Sequence, residues 1–250
     1  NEKNPTIKSK MAYAKASTMR ENKHMRTIQS FVRRSGRLSK AQKVGLNELW
    51  PNFGIELVDN EMLDFGGLFA IKQDVVLEVG FGNGDSLLAM AINQPQTNFL
   101  GIEVYEAGVG RLINEANKHQ LNNLKIIKND AVEVLNHHIK DDSLSAFQLF
   151  FPDPWHKKKH HKRRILQTSL LDMLADKLKT HGIIHIATDW ENYAKHIMET
   201  MEVHPHFKNT LGDHIYSPRP THRPLTKFEN RGQRLGHGVW DILFTNTKGV

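Results

Sequence analysis

The sequence predicts an α/β fold: a doubly wound, mostly parallel sheet with an antiparallel closing strand. Three observations predict it. From Val75 onward, short apolar runs alternate with amphipathic stretches, the pattern of successive βαβ units. A glycine-rich turn, Gly80-Phe81-Gly82-Asn83-Gly84, follows the first apolar run. Finally, the predicted strands end at 80–84, 103–106, 129–131, 152–156 and 188–190, and each of these places carries an acidic or glycine-rich signature. In doubly wound sheets ligands bind beyond the carboxyl ends of the strands.

The elements follow in order. Lys40 to Leu49 predicts a short helix that ends before Pro51, because proline disfavours helix in the residue before it. Residues 52–74 read as a loop-rich lead-in, with Gly66-Gly67 as a break. Val75 to Val79 is a continuous apolar run stopped by glycine, which suits a strand buried on both faces. Asp85 to Asn93 predicts a helix, Thr97 to Val104 a strand and Glu106 to Lys118 a helix. Leu124 to Lys128 is the third strand, Ala131 to His138 a short helix, and Leu144 to Phe151 the fourth strand. Ile165 to Lys179 reads as a long amphipathic helix, Gly182 to Thr188 as a strand and Trp190 to Glu202 as a helix. Val239 to Phe244 closes the sheet. The division predicted is a disordered basic arm over residues 1–25 and a single domain over 26–250.

Composition narrows the function classes. The 250 residues are 39% hydrophobic and include no cysteine. That excludes disulfides, thiolate zinc sites and cysteine nucleophiles, and it is compatible with the cytoplasm. No run of 18 apolar residues exists, so no membrane span is expected. The first residues are polar and basic rather than an apolar leader. Charge is uneven. Residues 1–43 hold twelve Lys/Arg and two acidic residues, whereas the rest carries a net charge of −3. A basic arm of this kind either binds a polyanion or merely solubilises the chain, and the balance favours nucleic acid.

The cofactor reading rests on three strand ends. The glycines at 80, 82 and 84 permit a sharp turn and close backbone approach. Their spacing is not the full G-x-G-x-x-G of a dinucleotide site. Glu78, two residues before the first glycine, would repel a pyrophosphate and suits a cation bearing an ammonium and a sulfonium. Glu103 ends the second strand, where a carboxylate can accept from both hydroxyls of a ribose. Asn129-Asp130 ends the third strand, placed either to reach an adenine or to make an ordinary turn. Together they favour S-adenosylmethionine over nicotinamide.

The chemical reading rests on Phe150-Phe151-Pro152-Asp153-Pro154-Trp155-His156. Two prolines leave Asp153 few backbone options, and Trp155 offers a flat face for stacking a base. Next, Lys157-Lys158-Lys159-His160-His161-Lys162-Arg163-Arg164 predicts a phosphate-binding run that opens a helix. Its histidines lack metal-ligand spacing, so no metal is expected. A last polar stretch, Thr226-Lys227-Phe228-Glu229-Asn230-Arg231-Gly232, sits in a loop before the closing strand, stiffened upstream by Pro218, Pro220 and Pro224.

The blocks Leu77 to Gly84, Phe151 to Lys157 with His161 to Arg164, and Thr226 to Glu229 resemble the signatures of the bacterial tRNA (guanine-N7-)-methyltransferase family. The likeness runs from about Arg26 to Phe244. The resemblance implies a Rossmann-like sheet of the class I S-adenosylmethionine-dependent methyltransferase type and methyl transfer to N7 of a guanine in the variable loop of tRNA. It implies that Glu78, Glu103, Asp130 and Asp153 line the cofactor site and that Asp153 is catalytic. It implies substrate contacts from Lys157, Asp189 and Thr226, Lys227, Phe228 and Glu229, and RNA contacts from Lys159, Lys162, Arg163 and Arg164. The expected partner is tRNA, with a monomer or weak homodimer as the assembly. Two other readings stay open on the residues alone: a methyltransferase for another RNA or a protein, and a non-catalytic RNA-binding module.

Overall fold

The computed structural model describes residues 30–31, 37–226, 229–230 and 238–250. The basic arm at 1–25 lies outside them, as do Lys227 and Phe228 of the predicted substrate loop. The helices are α1 Lys40–Asn47, α2 Trp50–Phe53, α3 Phe65–Leu68, α4 Asp85–Asn93, α5 Glu106–Lys118, α6 Ala131–His137, α7 Thr168–Lys177 and α8 Glu191–Glu202. The strands are β1 Val75–Val79, β2 Asn98–Ile102, β3 Leu124–Ile127, β4 Leu144–Phe150, β5 Leu178–Thr188, β6 Phe207–Asn209 and β7 Trp240–Asn246. A 3-10 helix spans Lys158–Arg163.

Among the described residues the strands form one seven-stranded sheet in the order β3-β2-β1-β4-β5-β7-β6. β1 pairs in parallel with β2 and β4, and β5 pairs in parallel with β4. β7 runs antiparallel to both β5 and β6. The order reverses between β1 and β4, and such a switch point opens a crevice at the strand ends.

One sheet face packs α6, α7 and α8 through Leu135, Leu171 and Ile197 onto Leu77, Phe147 and Ile184. The other packs α4 and α5 through Leu87, Leu112 and Ile113 onto Phe99 and Ile126. Each such fully buried side chain contributes about 1.5–3 kcal/mol. α1 reaches α5 through a close backbone crossing. A Cβ on Gly45 would lie 2.2 Å from the Gly110 carbonyl oxygen, so only glycine fits there. On the second face a polar row crosses the sheet. Glu78 of β1 lies beside Gln148 of β4, Gln148 beside His185 of β5, and His185 bonds Asp241 of β7.

Several boundaries differ from the sequence reading. The first helix ends at Asn47, before Pro51 as expected, but Pro51 itself sits in the first turn of a further helix, α2, where its missing N–H costs nothing. Gly66-Gly67 is not a break but lies within α3, because the Asp64 carboxylate caps the Gly66 N–H at 3.2 Å. The basic run does not open α7. It closes its own 3-10 turn, and α7 starts only at Thr168. β5 begins at Leu178 rather than Gly182, passing an irregular register opposite β4. β6 was not expected at all, since three residues carry no readable alternation.

Candidate functional site

At the switch point a cavity of about 250 Å³ opens over the carboxyl ends of β1 to β4. Val79, Gly80 and Gly82 line it from β1, and Ile102, Glu103, Val104 and Tyr105 from β2. Asn129 and Asp130 close the side after β3, and Leu149 to Asp153 the side after β4. Ser30 and Phe31 complete the wall. Three separate strand ends therefore bring Glu103, Asn129, Asp130 and Asp153 onto one surface, opposite the glycines that follow β1.

The glycine turn is left-handed at each glycine: φ is +72° at Gly80, +57° at Gly82 and +78° at Gly84. An L side chain strains there. Nothing lies within 4 Å of a Cβ built on Gly80 or Gly82, so both backbones face open cavity. Gly84 differs. Its Cβ would lie 2.9 Å from Leu112, and it does not line the cavity. Its glycine serves packing against α5.

Glu103 is buried and holds the turn together. One carboxylate oxygen accepts from the Gly82 N–H at 2.7 Å. The other accepts from the N–H groups of Val104 at 2.7 Å and Tyr105 at 2.9 Å. Glu78 is 2% exposed and does not touch the cavity. Its Oε2 has no hydrogen-bond partner among the described residues. Burial, with repulsion from Glu103, pushes its carboxyl up to about 8. Glu103 on the cavity wall and the buried Glu78 carboxyl on which its charge acts make one acidic zone. A cation with N–H groups fits that zone, and a phosphate does not.

After β3, the Asn129 side chain accepts from the Asp130 N–H at 2.7 Å. Asp130 caps α6 through the Val132 N–H at 2.9 Å. Both do turn chemistry while standing on the cavity wall.

After β4, the chain turns through two left-handed non-glycine residues, Phe151 at φ +52° and Trp155 at +47°. The Phe151 N–H donates to the Ala187 carbonyl at 2.7 Å, which anchors the loop to β5. Asp153 projects from it, exposed. Sequence reasoning missed the clamp on this loop. Arg164 is 3% exposed, donates to the Pro154 carbonyl at 2.9 Å and to Asn192 of α8 at 3.0 Å, and lies over Tyr193. The expected RNA contact is therefore corrected for Arg164: its guanidinium is consumed inside the fold. Nothing in a run of like charges distinguishes that one arginine. Lys157, Lys159 and Lys162 are exposed. Arg163 lies 3.8 Å over the Trp155 ring and donates to the Phe31 carbonyl. Trp155 is thus not an open stacking face, since Arg163 covers it. The exposed indole is Trp190, 40% exposed, whose ring packs 4.1 Å from that of His156. That contact brings the 152–157 loop and Asp189-Trp190 together.

Thr226 accepts from the Glu229 N–H at 3.2 Å. Glu229 is buried, and both its oxygens bond Arg223. Asp241 in the apolar strand Trp240-Asp241-Ile242-Leu243-Phe244 was the readable signal of this pairing: a lone charge in a buried strand demands a partner. Among the described residues no three His, Asp or Glu gather as a metal site, and no helix is long and apolar enough to cross a membrane.

Known proteins resemble this chain over most of its length. A family profile described as "Putative methyltransferase" matches residues 72–242. A tRNA (guanine-N(7)-)-methyltransferase of Pseudoalteromonas translucida is 54% identical over 228 residues, covering 91% of this chain and 94% of its own. One from Psychromonas ingrahamii is 50% identical, covering 92% and 93%. One from Vibrio cholerae is 53% identical, covering 91% and 95%. The solved antibiotic-resistance methyltransferase Kmr shares the fold, with a TM-score of 0.52 at 12% identity over 75% of this chain and 93% of that one.

Proposed function

The chain belongs to the tRNA (guanine-N(7)-)-methyltransferase family, and from that premise we propose that it methylates N7 of a guanine in the variable loop of tRNA, using S-adenosylmethionine. The observation that carries this reading is the single acidic cavity at the switch point. Glu103 and Asp153 stand on its wall, and the Glu103 charge acts on the buried, unpartnered Glu78 carboxyl. When bound, S-adenosylmethionine supplies a methyl group activated by its sulfonium. Gly80 and Gly82 let the donor approach the backbone, and Glu78, buried behind that lining, would reach its ammonium through a bridging water. Glu103 has one acceptor site left on Oε2 for a ribose hydroxyl.

Guanine N7 has a lone pair in the ring plane and no proton. The protein therefore needs no general base, and alignment is the main requirement. Positive charge grows on the guanine as the methyl arrives. Asp153 accepts from the guanine N1–H and amino group and opposes that charge. Asp189 stands nearby as a second acceptor, while both Glu229 oxygens already face Arg223. N7 in paired RNA faces a deep groove that side chains enter poorly, so the guanine must leave its contacts. Among the described residues Trp190 is an exposed aromatic able to stack on it. Lys157, Lys159, Lys162 and Arg163 bind phosphate, and affinity for tRNA falls as salt rises. The enzyme works in the cytoplasm, where its substrate is.

Incubation with unmodified tRNA and labelled methyl donor, followed by mapping of alkali-labile N7 sites, tests the reading. Label at a variable-loop guanine is expected; label elsewhere, or none, overturns it. Asp153→Asn should cut turnover by about 100-fold or more, the scale of one lost electrostatic stabiliser. Near-normal turnover in that variant would remove Asp153 from the chemistry.

A further inference from the structure

Arg223 is the largest side chain in the fully buried set, at 1% exposure. Its guanidinium makes two forks. Nε and Nη2 donate to the Asp241 carboxylate at 2.7 and 2.9 Å. Nη1 and Nη2 donate to the Glu229 carboxylate at 2.6 and 2.9 Å. Asp241 also bonds His185 Nε2 at 2.7 Å, and the other nitrogen of that imidazole, Nδ1, lies 3.3 Å from His222 Nε2. The guanidinium lies 5.9 Å from the centre of the Phe150 ring and 5.7 Å from that of Phe151. Those residues lead directly into Pro152-Asp153. One buried cation therefore touches the C-terminal loop, β7 and the root of the Asp153 loop.

A buried ion cluster is a poor device for stability alone, because desolvation consumes most of its Coulombic gain. What two bidentate forks supply is geometry: planar, directional and intolerant of slippage. Glu229 passes that geometry on, since its N–H is held by Thr226.

We infer that Arg223 is a positioning residue that sets Thr226 and Glu229 at a fixed place relative to Asp153, and that Glu229 acts through Arg223 rather than by touching the guanine. The inference rests on the reading above that this loop contacts substrate.

Arg223→Lys tests it, because lysine keeps the charge but cannot make the forks. The kcat/KM for tRNA should fall roughly 10- to 100-fold, the range for a lost supporting partner or a misplaced group. Donor affinity by calorimetry should be unchanged. Wild-type tRNA kinetics, or a matching loss of donor affinity, overturns the inference, the second because it signals general disorder. Should Arg223→Lys not fold, Glu229→Gln leaves the Arg223–Asp241 pair matched and should show the same split. The double variant, where it folds, should be no worse than the poorer single one, since the two act as a unit. Additive losses would give Glu229 a contact of its own and sink the idea. Thr226→Ala separates the premise from the inference. If it leaves tRNA kinetics intact, the loop does not contact substrate and the premise fails. If it impairs them while Arg223→Lys does not, only the positioning role fails.

Discussion

Two sets of buried carboxylates occupy the same face of one sheet and are treated in opposite ways. Under the cavity, Glu78 has an oxygen without a partner, beside Gln148, whose own amide oxygen also lacks one. At the far end of the row, Asp241 and Glu229 share Arg223 through four hydrogen bonds. The difference shows in their protonation. Glu78 is pushed up to about 8 by burial, with Glu103 adding to it. Burial pushes Asp241 the same way, but the His185 and Arg223 hydrogen bonds outweigh it and hold its carboxyl below the usual range. One region is complete within the chain. The other leaves a buried carboxyl oxygen without a partner among the described residues, which is what the proposed donor would satisfy.

The hardest test of that contrast is to remove the internal partner. Arg223→Met would leave Asp241 and Glu229 buried together without a cation. Breaking such a cluster from one side costs about 3–5 kcal/mol. Chemical denaturation should show that loss, and a change below about 1 kcal/mol would mean that water reaches the pair. By contrast, Glu78→Gln removes a charge that has no partner in the ligand-free protein. Stability at pH 8 should hold or rise. Donor affinity should drop by about 2 kcal/mol, roughly 30-fold, the value of one charged hydrogen bond. If Glu78→Gln instead destabilised the free protein and spared donor binding, the two regions would be of one kind.

The contrast also separates what the sequence made legible from what it hid. The strands were legible because each is a short apolar run, and Val75-Val76-Leu77-Glu78-Val79 announced its site by carrying one acid inside such a run. The strand-end acids were legible because the fold class assigns ligands to that rim. Arg223 and Arg164 were hidden for the same reason as each other. Their roles depend on partners 6, 18 and 28 residues away, and periodicity carries no such information. β6 was hidden by brevity, and Trp155 by Arg163 lying over it. The two prolines marked the Asp153 loop as confined, and the structure places Asp153 on the cavity wall.

Acidity gives the two regions opposite signs. Glu78 is raised in the fold, so the folded protein holds more protons than the unfolded chain between about 4.5 and about 8. Its contribution is present at low pH and is lost as pH rises through that window, by at most about 1.4 kcal/mol per pH unit. His185 is lowered, chiefly by burial against the pull of Asp241. Its contribution is present at neutral pH and is lost as pH falls below its ordinary value of 6.5. Thermal unfolding of the ligand-free protein should therefore show Glu78→Gln removing the loss of stability between about pH 4.5 and about pH 8, while the His185 loss below 6.5 remains. Donor binding below pH 8 should release a proton as Glu78 ionises against the incoming cation. Calorimetry in buffers of different ionisation enthalpy would detect it, and no buffer dependence would exclude the carboxylate as the acceptor.

The smallest effect separates the two regions at the level of a single methyl group. Gly82 and Gly84 both sit at positive φ, so alanine at either strains the backbone by about 1–2 kcal/mol. Beyond that shared strain they diverge. A methyl on Gly84 meets Leu112 at 2.9 Å, inside packed protein, and its further cost should appear in stability. A methyl on Gly82 meets nothing and enters the cavity, so its further cost should appear in donor affinity. Measuring unfolding and donor binding for both variants resolves the two contributions. Equal losses of donor affinity in Gly82→Ala and Gly84→Ala would mean that the turn acts only as a rigid hinge. A loss confined to Gly82→Ala would place the bound donor against the open backbone of the turn, whose N–H is held by the Glu103 carboxylate on the same wall.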